Sequence, residues 1–136
     1  MNAIADTGFL VALLEARDQH HAWAVGLAED IQWPALTCES VLSETAFNVG
    51  SSATTLRMLA DGMVQLAFDL TNHLDDVRDL ATRYADRHPD LADLCLIRMS
   101  ELYPRHTLIT VDTDFRIYRR NKRESIPTLL PPKLLI

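Results

Sequence analysis

Residues 2–15, NAIADTGFLVALLE, decide how the rest of the chain is read. Ala3, Ile4 and Ala5 form a short apolar run that stops at Asp6, and Thr7-Gly8 opens a segment with helical spacing at Phe9, Leu10, Leu13 and Leu14. The pattern predicts a buried strand with a carboxylate at its C-terminal end. In open α/β sheets, ligands bind in the crevice outside those strand ends, so an acid there stands where chemistry is done. Asp6 is equally placed to cap the helix that follows, accepting a hydrogen bond from a free backbone N–H. Taken alone it supports both readings, and the balance turns on whether more acids of the same kind follow.

The length, 136 residues and 15.3 kDa, suits a single domain over 1–136 with a real core. No uninterrupted apolar run approaches the ~20 residues needed to span a bilayer. Asp6 interrupts the N-terminal apolar run at once, and neither a basic leader nor a small-residue cleavage site accompanies it, so a cytoplasmic protein without membrane partners is expected. Cys38 and Cys95 stand far apart with no CxxC or Cys/His grouping, which predicts buried thiols and neither a disulfide framework nor a zinc site. The net charge of -6 argues against sequence-blind nucleic-acid binding by bulk charge. Its distribution matters more: Arg116, Arg119, Arg120, Lys122 and Arg123 fall in one short segment, and the clustered acids elsewhere would attract a cation.

Further along, His20 to Asp30 reads as a helix ended by Trp33-Pro34, Ala35-Leu36-Thr37 as a strand, and Glu39 to Asn48 as a helix with an apolar stripe at Val41, Leu42, Thr45, Ala46 and Val49. Glu44 lies beside that stripe. Ser51-Ser52 starts a helix closed by Asp61-Gly62, and Val64 to Phe68 reads as a strand. The spacing predicts one helix from Thr71 to His88, stopped by Pro89, then a more apolar helix from Asp90 to Tyr103 of the kind that sits centrally. Thr107 to Val111 is a clear strand running into Asp112. A short helix is expected over Phe115 to Arg119 and an edge strand over Ile126 to Leu130. Strands alternating with helices imply a mainly parallel sheet covered on both faces.

Asp93 lies among Leu91, Leu94, Leu96, Ile97 and Met99, where an ionised carboxylate costs several kcal/mol unless a partner or metal compensates. A salt bridge to Arg98, or a cap by Asp90 with Asp93 in the first helical turn, is the structural alternative. Asp112 repeats the setting of Asp6. Of the pair Asp112 and Asp114, the first is assigned to an ion and the second to capping or support. Two acids at strand ends, Asp6 and Asp112, and two on apolar helices, Glu44 and Asp93, suit a hard divalent cation, Mg²⁺ or Mn²⁺, with oxygen ligands. The histidines His20, His21, His73, His88 and His106 lack the spacing of a zinc site.

With these residues in place, the chain resembles the PIN-domain family, and within it the VapC-like toxin branch. The matching stretches are IADTGFLVALL, SVLSETAFNV, PDLADLCLIRMSE and LITVDTDFRIYR, which come in the family's order and cover nearly the whole chain. The resemblance implies a three-layer α/β fold with a mainly parallel central sheet flanked by helices. It also implies a metal-dependent ribonuclease whose catalytic and metal-holding residues are Asp6, Glu44, Asp93 and Asp112. Thr7 matches the hydroxyl residue that helps order the metal site, and Asp90 and Asp114 are supporting acids. The implied chemistry is in-line displacement by water activated at one or two cations, leaving a 5′-phosphate and a 3′-hydroxyl. Arg116, Arg119 and Arg120 are candidates for holding RNA phosphates at the rim. The implied partners are an RNA substrate, a cognate antitoxin and a second copy of the chain, with Leu134-Leu135-Ile136 offered either to that dimer or to the chain's own core. The alternative is a catalytically weak PIN-like RNA-binding or regulatory partner protein. The DxD of haloacid-dehalogenase-like phosphatases and a receiver-type phosphoacceptor are set aside. Too little chain follows Asp112 for the first, and neither Lys122 nor Lys133 ends a strand as the second requires.

Overall fold

The computed structural model of the protein describes residues 1–132; the apolar end Leu134-Leu135-Ile136 lies outside them. Among the described residues, β1 (Ala3–Ala5), β2 (Ala35–Thr37), β3 (Val64–Leu66), β4 (Thr107–Ile109) and β7 (Thr128–Leu129) form one sheet in the order β3-β2-β1-β4-β7. Every pairing within it is parallel. A separate antiparallel ribbon joins β5 (Arg119–Arg120) to β6 (Glu124–Ser125). Helices α1 (Thr7–Leu14), α2 (His21–Ala28), α3 (Glu39–Val49), α4 (Ser52–Ala60), α5 (Leu74–Arg83) and α6 (Leu91–Leu102) flank the sheet. The mainly parallel α/β architecture follows from a middle strand too apolar to leave either face wet: all three residues of β1 are buried, whereas two of the three in the edge strand β3 are exposed.

The core explains the order of the elements. Ile4, Leu108 and Ile109 from the central strands pack with Phe9 and Leu10 of α1, Val41 of α3, and Leu96, Ile97 and Met99 of α6, all fully buried. Seven of the twelve residues of α6 are buried, as its all-round apolar pattern predicts. Cys38 and Cys95 are buried free thiols. Gly8 is required by packing: a Cβ there would run into the side chain of Val111 just past β4, so α1 can start hard against the neighbouring strand only without one.

Five segments differ from the sequence-based expectation. The helix expected from Thr71 to His88 is divided into a 3₁₀ turn at Leu70–His73, α5, and a second turn at Ala85–Arg87 that ends with His88 in the left-handed region. Asp69 causes the first division by capping that turn, accepting from the backbone N–H of Thr71. The short helix expected over Phe115 to Arg119 is a 3₁₀ turn at Thr113–Arg116, shifted toward its cap Asp112, and Arg119 and Arg120 form β5 instead. The strands expected over Val64 to Phe68, Thr107 to Val111 and Ile126 to Leu130 are shorter, although β7 does occupy a sheet edge.

Candidate metal centre

Asp6 leaves β1 at the carboxyl end of the sheet's middle strand, its backbone N–H still paired to the Ile109 carbonyl at 3.0 Å. That bond fixes where its side chain starts. One carboxylate oxygen accepts from the Thr7 N–H at 2.7 Å, which makes Asp6 the N-cap of α1. The other accepts from Thr110 Oγ1 at 2.6 Å, deep in the interior. Asp6 is only 7% exposed, and burial pushes its carboxyl up to about 6 against the relief given by Thr110 and Thr7.

The other acids are brought to the same end of the sheet from different elements. Thr7 Oγ1 donates to Glu44 Oε2 at 3.1 Å, tying α1 to α3. Asp90 and Asp93 form a reciprocal capping box at the start of α6: the Asp93 N–H donates to Asp90 at 2.8 Å and the Asp90 N–H to Asp93 at 3.2 Å. Burial and the charge of Asp90 push the Asp93 carboxyl up to about 8. Burial, then the Asp90 charge, also raises Glu44, which makes a carboxyl–carboxyl contact with Asp90. Asp112 is raised by burial and by the charges of Asp114 and Asp90.

Asp6, Glu44, Asp93 and Asp112, which come from four separate elements, are therefore each raised by burial and by neighbouring acids. Like charges crowded at one sheet end repel one another, and Asp6, Glu44, Asp93 and Asp112 are correspondingly harder to ionise. Among the described residues no three acidic, histidine or cysteine side chains stand together closely enough to hold a metal ion as they are placed; the acids rest on backbone N–H groups and hydroxyls. The donor set nonetheless fits a hard divalent cation. It is all oxygen, carries surplus negative charge, and is held at one end of the sheet by short hydrogen bonds.

Individual roles differ from expectation at three points. Asp93 makes no ion pair with Arg98, which instead reaches Asp76 and Glu101 at 3.3 and 3.0 Å; the capping-box alternative is the one observed. Asp112, not Asp114, is the cap of the 3₁₀ turn, accepting the Asp114 N–H at 2.9 Å. Asp114 instead faces Arg87 at 3.9 Å. Arg120 is not at a rim: it is 5% exposed, with its guanidinium donating to the carbonyls of Ser100 and Pro104 and to Glu124. Packing of β5 against α6 makes it a strut. Arg119 folds over the carbonyls of Arg116, Ile117 and Tyr118, whereas Arg116 is exposed.

Sequence reasoning passed over Thr110. Its hydroxyl donates to Asp6 and accepts the Asp112 N–H at 3.0 Å, joining the two strand-end acids. The available signal was a lone hydroxyl in the apolar run LITV, immediately before an acid. Arg87 was also missed, because it falls within what reads as continuous helix.

Compared with models of known protein families, the chain matches the PIN domain over residues 3–121. No curated protein sequence matches it. Among solved structures it is similar to the crystal structure of VapC20 from Mycobacterium tuberculosis, a sarcin-ricin-loop-cleaving toxin, with a TM-score of 0.73 and 17% identity. The likeness covers 83% of this chain and 92% of that one. At that identity it carries the fold alone.

Proposed function

The chain belongs to the PIN domain family, and from that premise we propose that it is a ribonuclease dependent on Mg²⁺ or Mn²⁺, acting as the toxin of a toxin–antitoxin pair. The observation that carries the reading is the convergence of Asp6, Glu44, Asp93 and Asp112, with Asp90, on the carboxyl ends of β1 and β4, where they perturb one another's ionisation. A structural role alone does not call for so much like charge at one point.

Asp6, Glu44, Asp93 and Asp112 would hold the cation, with Asp90 and Asp114 supporting. When bound, the cation supplies a Lewis acid that activates water and offsets charge on the phosphate. The chain's own part is positioning. Thr110 and the Thr7 N–H fix both oxygens of Asp6, the Thr7 hydroxyl fixes Glu44, and the Asp114 N–H fixes Asp112. Arg116 and Arg87 stand on the Asp112 side of the site, where a guanidinium can hold a phosphate of the RNA. The three-residue strands keep the acids on short, packed elements, which limits how far each can drift.

An antitoxin and a second copy of the chain are the proposed partners. Phe47 on α3 and Leu56 on α4 are 85% and 60% exposed, and such large apolar side chains on adjoining helices support a protein partner there. No described helix is long and apolar enough to cross a membrane. The test is cleavage of RNA by the purified protein with and without Mn²⁺ or Mg²⁺. Asp93→Asn and Glu44→Gln are expected to reduce metal-dependent cleavage at least a hundredfold while leaving the circular dichroism spectrum unchanged. Equal cleavage by wild type and both variants would refute the assignment. The weaker alternative, a binding partner with little catalysis, predicts RNA binding with no metal-dependent products.

A further inference from the structure

We propose that the Tyr118 hydroxyl is a positioning donor for the cation site, one that hydrogen-bonds the Asp93 carboxylate when that carboxylate turns to hold a divalent ion. The inference rests on the metal-dependent reading above.

Tyr118 is the largest fully buried side chain, at 0% exposure. Its ring is clamped edge-on between Tyr84, at 5.0 Å between centroids, and Phe115, at 5.4 Å. The ring cannot swing, so the hydroxyl points where the backbone puts it. The Tyr118 N–H is bonded to the Asp114 carbonyl at 3.1 Å, which ties that backbone to the turn capped by Asp112.

The hydroxyl itself has no hydrogen-bond partner among the described residues. That is an exception within this chain. Of its three tyrosines, Tyr84 accepts the Arg119 N–H at 2.9 Å and Tyr103 donates to the Ala67 carbonyl at 2.9 Å. A buried donor left without an acceptor is costly, and phenylalanine would pack against Tyr84 and Phe115 equally well without that cost.

The surroundings supply the missing acceptor. The carboxylates whose charges act on this hydroxyl are Asp93 foremost, then Asp114 and Asp112, with Arg87 opposing them. Asp114 is engaged by Arg87, and Asp112 accepts the Asp114 N–H. Asp93 accepts the Asp90 N–H at 3.2 Å through Oδ2 alone, which leaves its Oδ1 for the phenol. Burial keeps the phenol protonated at neutral pH, so it serves as a donor and not as a base. Holding a ligating carboxylate by its spare oxygen is how outer-shell groups orient metal ligands.

The test is Tyr118→Phe, read by Mn²⁺ affinity (titration of free Mn²⁺ by electron paramagnetic resonance) and by thermal unfolding in EDTA. The expected result is an affinity about tenfold weaker, with a metal-free midpoint equal to or above that of the wild type. In the Asp93→Asn background the same change is expected to have no further effect on Mn²⁺ affinity. Unchanged Mn²⁺ affinity in Tyr118→Phe, or an equal loss in the Asp93→Asn background, would overturn the proposal and leave the metal-dependent reading standing. A wild-type protein that binds no Mn²⁺ would overturn both.

Discussion

Asp6→Asn should stabilise the metal-free protein clearly at pH 8 and only marginally at pH 5. The Asp6 carboxyl is buried and raised from 3.8 to about 6. Because the folded value exceeds the unfolded one, the associated stability is fully present below about 3.8 and is lost as pH rises through about 6. A shift of roughly two units corresponds to about 3 kcal/mol of folding free energy at pH 8. Asparagine keeps an oxygen for the Thr7 N–H but presents an amide where Thr110 Oγ1 now donates at 2.6 Å, which returns about 1 kcal/mol of the gain. The net expectation is about 2 kcal/mol of stabilisation at pH 8, roughly 5–8 °C in the midpoint for a chain of this size. At pH 5 the folded carboxyl is largely protonated but the unfolded one is already ionised, so roughly half of that penalty has set in and the net gain of the variant should fall below about 1 kcal/mol. The assay is thermal unfolding in EDTA at pH 5, 6.5 and 8, with urea unfolding at the two ends. A variant destabilised equally at all three values would refute the reasoning, because Asp6 would then be an ordinary cap whose charge costs the fold nothing.

Three further outcomes follow from the same geometry. Mn²⁺ should raise the midpoint of the wild type strongly at pH 8, by up to about 2.7 kcal/mol at a hundredfold excess over Kd, and far less at pH 5, where protons compete for Asp93 and Asp6; a pH-independent rise would contradict it. Thr110→Val should cut Mn²⁺ affinity roughly tenfold by freeing Asp6 and the Asp112 N–H at once, as read by the same titration. Arg120→Ala should cost roughly 2–4 kcal/mol of stability in urea unfolding, since it strips a buried strut from two carbonyls and Glu124. RNA affinity, read by filter binding, should keep its salt dependence in Arg120→Ala, whereas Arg116→Ala should flatten the slope by about one phosphate contact.

The fold was legible because its signals are short-range and mutually consistent. Apolar runs ending in acids placed β1 and β4, and one helical stripe after another filled the connections between parallel strands. Failures occurred where a side chain competes with the backbone. Asp69 and Asp112 each capture an N–H two residues on, converting expected helix into 3₁₀ turn, and hydrophobic spacing does not register that competition. The acids of the site could be singled out as costly in an apolar context, but their pairings could not. The Asp6–Thr110 bond spans 104 residues, and nothing local says which hydroxyl meets which carboxylate. Arg120 misled for a related reason: a charge run in sequence reads as one wet face, while a strand sends alternate side chains in and out.

The cap and ligand readings of these acids turn out not to compete. Asp6 caps α1, Asp90 caps α6, and Asp112 caps the turn after β4. Backbone N–H groups of two helix starts and one 3₁₀ turn are thus bonded to these carboxylates, and their positive ends partly offset the negative charge gathered there. That offset lets the carboxylates coexist in the metal-free protein, but it is incomplete, because Asp6 and Asp93 remain well above the ordinary carboxylate range. Each cap bond uses an oxygen of a group that has two. For Asp112 the cap engages Oδ1, so a cation can take the other oxygen without unwinding the turn. For Asp6 each oxygen carries one hydrogen bond and keeps a lone pair, so a cation could be taken with the Thr110 bond in place. Ion binding would therefore be coupled to folding most tightly at Asp6 and Thr110: the pH dependence of Asp6→Asn in EDTA reads the folding side, and the Mn²⁺ titration of Thr110→Val reads the binding side.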